Sequence, residues 1–344
     1  MKLLKELCLA AAIPGREKAV IDIMKRELSK TTDKVTIDQM GNVIGVKKCG
    51  IRNAPKVMIA GHMDEIGFIV SHIDKNGFIR FAPRGGHVPK VLYSQRVTVC
   101  GKKQITGIVE GASAFLAADP ADRKKSGDLK DFFIDTGLSA SVLKKQVAVG
   151  DIIVMEGAYV TQGNNIITKA LDNRVGCYIV LETMKQLKKH KVDVYAIGTS
   201  QEEVGIRGAH AAAKDIQPDM GIALDVTAAF DTPGVEPHNV VTKLNEGTAI
   251  KINDQSSISN HGIVEFLKKT AKKNKIKYQL EVLPFGGTDA RGIQFFGAGP
   301  VCTISVPTRY VHSPHEIASK NDILASIKLL TKFLETCETC QPEF

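Results

Sequence analysis

The chain has no tryptophan, and aromatic residues supply only 6% of its 344 positions. Proteins that grip single-stranded nucleic acid stack bases on aromatic side chains, so this scarcity argues against that class even with a net charge of +9. The basic residues gather in KQLKKHK (Lys185 to Lys191) and LKKTAKKNKIK (Leu267 to Lys277). Both lie near the ends of segments with helical periodicity, where cations complement the helix dipole. No nucleic-acid motif accompanies them, and no nucleic-acid partner is expected. Long apolar runs are also missing. None approaches the roughly 18 residues of a spanning helix, so no membrane association is expected. The opening MKLLKELCLAAAIPG is interrupted by Lys5 and Glu6. It reads as an amphipathic helix with Leu3, Leu4, Leu7 and Cys8 on one face rather than as a targeting segment. Seven cysteines, an odd number set mostly in apolar runs, suit buried thiols in a reducing cytoplasm rather than a disulfide framework. The closing CETC is a lone CxxC without a second pair, which carries no redox or metal expectation.

What the chain does have is alternation. KVMIAGHM is a continuous apolar run, the mark of a strand covered on both faces. KVTIDQMGNVIGVKK, turning at Gly41-Asn42, reads as two strands. From about Gly67 to Gly163 the texture changes to short strand-like runs separated by glycines and charges, such as GFIVSHI, SQRVTVC and GDIIVM, which predicts a small all-β module, a barrel. After Gly163 helix and strand alternate again through VDVYAIG, RGAHAAAKDI, MGIALDV, GTAIKIN, HGIVEFLKKTAKK and VCTISVPT. The expected fold is therefore α/β: a sheet with helices on both faces, formed by residues 1–66 and 164–344, carrying an inserted β-barrel at 67–163.

Open α/β sheets bind ligands at the carboxyl ends of their strands. Reading those ends in order collects AGHMDE, ALDNR, TSQEEVG, ALDVT and TRYVHSPHE. The candidates are His62, Asp64, Asp172, Glu202, Glu203, Asp225 and His312. Taken singly each is weak; Asp172, before an asparagine and a helical pattern, reads as a helix cap. Two imidazoles and three carboxylates gathered together form a borderline-to-hard donor set that suits a pair of divalent ions such as zinc, cobalt or manganese. Adjacent glutamates inside a strand face opposite ways. Glu202 and Glu203 follow a strand, so in the turn beyond it Glu203 can ligate while Glu202 reaches water. The spacing of His62 and Asp64 lets the aspartate support the imidazole.

The motifs GHMDEIGF, ALDNR, QEEVGIRGA, LDV, GGTDA and VPTRYVHSPHE resemble the tetrahedral-shell di-metal aminopeptidases, which include glutamyl, leucyl, lysyl and deblocking enzymes, some once mislabelled endoglucanases. The resemblance runs from AAIPGREK to the last helix. It departs from the family pattern at Arg291, after GGTDA, where a small or amide residue is expected, and at His87, after RGG, where tryptophan is common.

The resemblance implies a mixed-sheet catalytic domain of the di-zinc peptidase kind, with the barrel as dimerisation domain. His62 and Asp225 hold one metal, Glu203 and His312 the other, and Asp172 bridges them. Glu202 serves as general base and Asp64 orients His62. It implies peptide substrates, a cis bond between Asp172 and Asn173, and a homo-oligomer of dimers reaching a dodecamer. Arg291 and Arg309 suggest a preference for an acidic first residue; both also read as loop braces. Two rivals remain: a di-metal carboxypeptidase or deacylase, which needs a positive clamp for a free carboxylate, and a binding protein that keeps the scaffold without chemistry.

Overall fold

The structure, a computed structural model, describes residues 1–111, 127–297 and 299–343. Its framework is an eleven-stranded mixed sheet and a closed six-stranded barrel. At the centre of the sheet, Lys56–His62 pairs in parallel with Asp193–Thr199 on one side and Met220–Ala228 on the other. Val301–Arg309 extends the parallel set beyond Met220–Ala228. These strands read as near-continuous apolar runs because both faces are covered. Along Lys56–His62, Val57 and Ile59 enter the larger core with helix Leu171–Gln186, whereas Met58 and Ala60 enter a second core. That second core includes Ala212, Ala213 and Ile293 of helices Arg207–Ile216 and Asp289–Phe296. The alternation of a two-residue repeat thus feeds two helical layers.

Four parallel strands have their carboxyl ends on one side, which is where the candidate residues emerge. The helix Leu171–Gln186 is pressed close to this edge. A Cβ on Gly61 would lie 2.7 Å from the backbone carbon of Gly176, and one on Gly176 would lie 2.4 Å from the carbonyl of Leu224. Two glycines therefore let the helix touch the strands bearing His62 and Asp225.

The barrel is formed by antiparallel strands beginning at Gly67–Ile73 and ending at Ile152–Met155. It has its own core around Phe68, Val97, Val109, Phe132, Ile134 and Ile153. The expected insert ran to Gly163, but Val160–Gln162 pairs with Asn165–Thr168, and the latter with Glu316–Ser319, all within the large sheet. These short strands carry no apolar alternation long enough to be read from the sequence. Among the described residues, no helix is long and apolar enough to cross a membrane. All seven cysteines are unpaired. Cys337 and Cys340 are buried, and burial pushes the Cys340 thiol up to about 11 and Cys337 higher, so this CxxC pair stays protonated and inert.

Candidate active site

Glu202 and Glu203 answer to a turn, not to a strand. The strand Asp193–Thr199 ends, and the carbonyl of Glu202 then accepts the N–H groups of Gly205 and Ile206. Out of the pleat, neighbouring side chains no longer oppose each other, and both glutamates line one cleft. Asp64 fixes this turn: its two carboxylate oxygens accept the backbone N–H groups of Glu202 and Glu203, each at 3.1 Å. His62 closes the strand Lys56–His62. Its Nδ1 lies 3.0 Å from the backbone carbonyl of Asp64 and 3.6 Å from that residue's carboxylate. A neutral ring that donates from Nδ1 to the carbonyl presents Nε2 to the cleft as a lone pair.

Asp172 lies in a non-helical kink at the start of the helix Leu171–Gln186, yet it is not the cap. Asn173 accepts the N–H of Gly176 at 3.0 Å and donates to the carbonyl of Leu224 at 2.7 Å. This leaves the Asp172 carboxylate free, and the peptide bond between the two residues is cis. Asp225 lies inside the strand Met220–Ala228 rather than past its end, and His312 follows Val301–Arg309 by three residues at φ +63.

The side chains converge. Asp172 reaches both imidazoles, with Oδ1 at 3.1 Å from His62 Nε2 and Oδ2 at 3.3 Å from His312 Nε2. Glu203 Oε1 lies 3.4 Å from His312 Nε2, Asp225 Oδ1 4.0 Å from His62 Nε2, and Glu202 Oε2 3.8 Å from the same nitrogen. His62, Asp172 and Asp225 offer donor atoms within 4.8 Å of one another, and so do Asp172, Glu203 and His312. Asp172 belongs to both triads. A third grouping at the same spacing joins His62 with Glu202 and Glu203.

The electrostatics of this cluster call for positive charge. Burial works against a protonated imidazole, yet the surrounding carboxylates overcome it: Glu203 and Asp172 push His312 up to about 12, and Asp172 and Asp64 hold His62 well above its ordinary value. Burial raises Glu202 and Asp225 well above the usual carboxylate range against the pull of His62. Oxygen and imidazole donors without thiolate match divalent zinc, cobalt or manganese, so the residues present fit a metal centre.

Outside the donors, two supports were not foreseen. Glu316, buried, accepts the backbone N–H groups of Asp172 and His312, each at 3.0 Å. Buried Glu65 pairs with Lys169 at 2.5 Å and with Arg174 at 3.2 Å. Arg174 in turn donates to the carbonyls of Leu7, Ala10 and Ala12, which ties the amino-terminal segment to the helix bearing Asp172. Glu316 stood within the HSPHE motif, but a carboxylate that serves only backbone donors has no sequence signature.

The cleft measures about 790 Å³ and is walled by apolar residues including Phe230, Val235, Leu283 and Phe285. Its one lysine or arginine among the described residues is Lys251, which is 1% exposed and paired with Glu281 at 3.0 Å and Asp254 at 3.3 Å. Arg309, expected near the first-residue pocket, does not line the cleft; it binds Asp231 through two contacts of 2.6 and 2.8 Å, so it braces a loop. Arg291 lines an adjoining cavity that also touches Glu202, and its guanidinium lies 5.9 Å from the Phe295 ring centre.

Comparison with known proteins agrees with this geometry. The family model of M42 glutamyl aminopeptidases matches residues 41–329. The lysyl aminopeptidase of Pyrococcus furiosus is 33% identical, covering 97% of this chain and 96% of its own. The glutamyl aminopeptidase of Lactococcus lactis is also 33% identical, over 97% and 96%. A solved TET aminopeptidase from a marine sediment archaeon of the Thaumarchaeota superposes with a TM-score of 0.93 at 36% identity, covering 98% of this chain and 96% of that one. With a metal-fitting cleft at the strand ends and a match over most of its length, this chain belongs to the M42 glutamyl aminopeptidase family, metal-dependent hydrolases that act as peptidases.

Proposed function

We propose that the protein removes the first residue from peptides with two divalent ions held by the two triads. The observation that carries this reading is the sharing of Asp172 between them. His62, Asp172 and Asp225 would hold one ion, and Asp172, Glu203 and His312 the other. Zinc, cobalt or manganese there would polarise the scissile carbonyl and make water more acidic. Four carboxylates (Asp172, Glu202, Glu203 and Asp225) line the cleft. Two divalent ions would balance them and leave both imidazoles neutral.

Glu202 is the remaining carboxylate once the two triads are filled. It takes the proton of the attacking water and returns it to the leaving amine. Asp64 keeps the Glu202–Glu203 turn in register, and Glu316 does the same for Asp172 and His312. A carboxypeptidase would need a free cation in the cleft to clamp the substrate carboxylate. Lys251 is already held by two carboxylates, and Arg291 lines the adjoining cavity rather than the cleft itself, which favours recognition of an amino terminus instead.

An acidic first residue is the proposed preference. It rests on Arg291, which lines the cavity that also touches Glu202 and makes no ion pair among the described residues, and on the glutamyl relative. The barrel, within residues 67–163, would drive dimers toward a dodecamer. Exposed Leu138, Val142 and Val149 in that region and the TET architecture of the archaeal neighbour support this. Seven unpaired thiols suit a cytoplasmic protein. The test is to strip the metal with a chelator, restore zinc, cobalt or manganese singly, and scan aminoacyl nitroanilides. Activity lost on chelation and regained with metal is expected. Full activity in metal-free protein would overturn the reading.

A further inference from the structure

The barrel reaches the catalytic side chains through one turn. Strand Ile79–Arg84 runs out into Gly85, Gly86 and His87. Gly85 has φ +83, and a Cβ on it would lie 3.0 Å from Glu203 Oε2 and 2.5 Å from Ile66. Gly86 lies outside the left-handed region, and its Cβ would come 3.4 Å from His312 Nδ1. Gly86 and Val88 form part of the cleft wall. Bare backbone from the barrel therefore closes the His312 side of the cleft, where any side chain would take space from a substrate.

His87 anchors this turn. Its Nε2 lies 3.0 Å from the carbonyl of Gly67 and 3.2 Å from that of Arg84, so this nitrogen carries the proton and donates to both. The ring stacks on Phe68 with centroids 4.2 Å apart and planes at 22°. Burial pushes the imidazole down to about 4, which keeps it neutral near pH 7.

We propose that His87 is a positioning residue for peptide capture: by holding Gly85 and Gly86 against Glu203 and His312, it sets the width of the cleft where the substrate enters. The proposal rests on the aminopeptidase reading above. It also gives a physical account of the departure from tryptophan at this position, since an indole likewise combines a stacking ring with an N–H donor.

The experiment compares metal-loaded wild type with His87→Phe, His87→Trp and Gly86→Ala. Three readouts are taken: kcat and KM on leucyl and glutamyl nitroanilides, metal per chain, and the calorimetric Kd of leucine hydroxamate. His87→Phe keeps the stacking but loses the donor. It should raise KM and the hydroxamate Kd about fivefold, as expected for one lost hydrogen-bonding group, with kcat and metal content little changed. His87→Trp should recover most of that loss. Gly86→Ala, whose methyl fits at ordinary contact distance from His312, should raise KM and Kd while retaining metal. Unchanged KM and Kd in His87→Phe and Gly86→Ala would overturn the proposal. So would a His87→Phe effect confined to kcat or metal content. Should His87→Phe fail to fold, His87→Leu, which also removes the donor, takes its place with the same expected rise in KM and Kd, and unchanged values there would overturn the proposal. A wild type that neither cleaves any substrate nor binds the hydroxamate brings down the aminopeptidase reading itself, and this proposal with it.

Discussion

The Oδ1 atom of Asp64 accepts the backbone N–H of Glu202 at 3.1 Å across 138 residues of sequence. Its second oxygen does the same for Glu203, so one buried carboxylate sets the pose of both glutamates through their backbone. Asp64→Asn leaves one acceptor oxygen and turns an amide N–H₂ toward a backbone donor. An unsatisfied buried donor costs about 1–3 kcal/mol, so kcat/KM should fall roughly ten- to a hundredfold. Steady-state kinetics on the metal-loaded variant check this; wild-type turnover would show that the turn holds itself.

Glu316 plays the matching part for Asp172 and His312. Glu316→Gln again sets an amide N–H₂ against a backbone N–H. Groups that orient metal ligands typically affect affinity by about ten- to a hundredfold, and a loss of that size is expected in metal competition titrations. Unaltered metal affinity would reduce Glu316 to a loop brace.

The packing of Gly61 on Gly176 is a steric prediction. A Cβ at Gly61 meets backbone at 2.7 Å, which the helix Leu171–Gln186 relieves only by moving. Gly61→Ala should cost about 1–3 kcal/mol, the range for overpacked cores, and should weaken metal binding because His62 is the next residue. Thermal melts with and without metal read both effects. A variant as stable as the parent contradicts the close approach.

His87 gives a pH dependence with a definite sign. Burial lowers its folded pKa to about 4 from an ordinary 6.5. Between these values the unfolded chain binds a proton that the folded chain does not, so stability is lost as pH falls from 6.5 toward 4. The melting temperature of the wild type should therefore drop more steeply over that window than that of His87→Phe. Parallel curves would place the imidazole in a more open setting.

Much of this site was legible from strand ends. Buried parallel strands announce themselves as apolar runs, and the polar residues at or just beyond their ends gather on one side, which brought His62, Glu202, Glu203 and His312 together, whereas Asp225 sits within its strand. The barrel was legible from the shift to short strands between glycines. The supports were not. Asp64 and Glu316 act on backbone N–H groups far away in sequence, and Asn173 takes the capping role that spacing assigned to Asp172. The strands Val160–Gln162 and Glu316–Ser319 are too short to show a period. Arg309 could be placed near the site from its position in the motif, but its partner Asp231 lies 78 residues away.

The central claim is that Glu202 moves protons while Glu203 holds metal, and elemental analysis beside turnover tests it most directly. Wild type should carry two ions per chain. Glu202→Gln should keep both while turnover falls by roughly two or more powers of ten, since only proton transfer is removed. Glu203→Gln exchanges an anionic oxygen for a weakly donating amide; it should lose or loosen one ion, and excess metal should restore part of its activity. If Glu202→Gln loses an ion and Glu203→Gln keeps both, the roles are reversed and the mechanism is wrong.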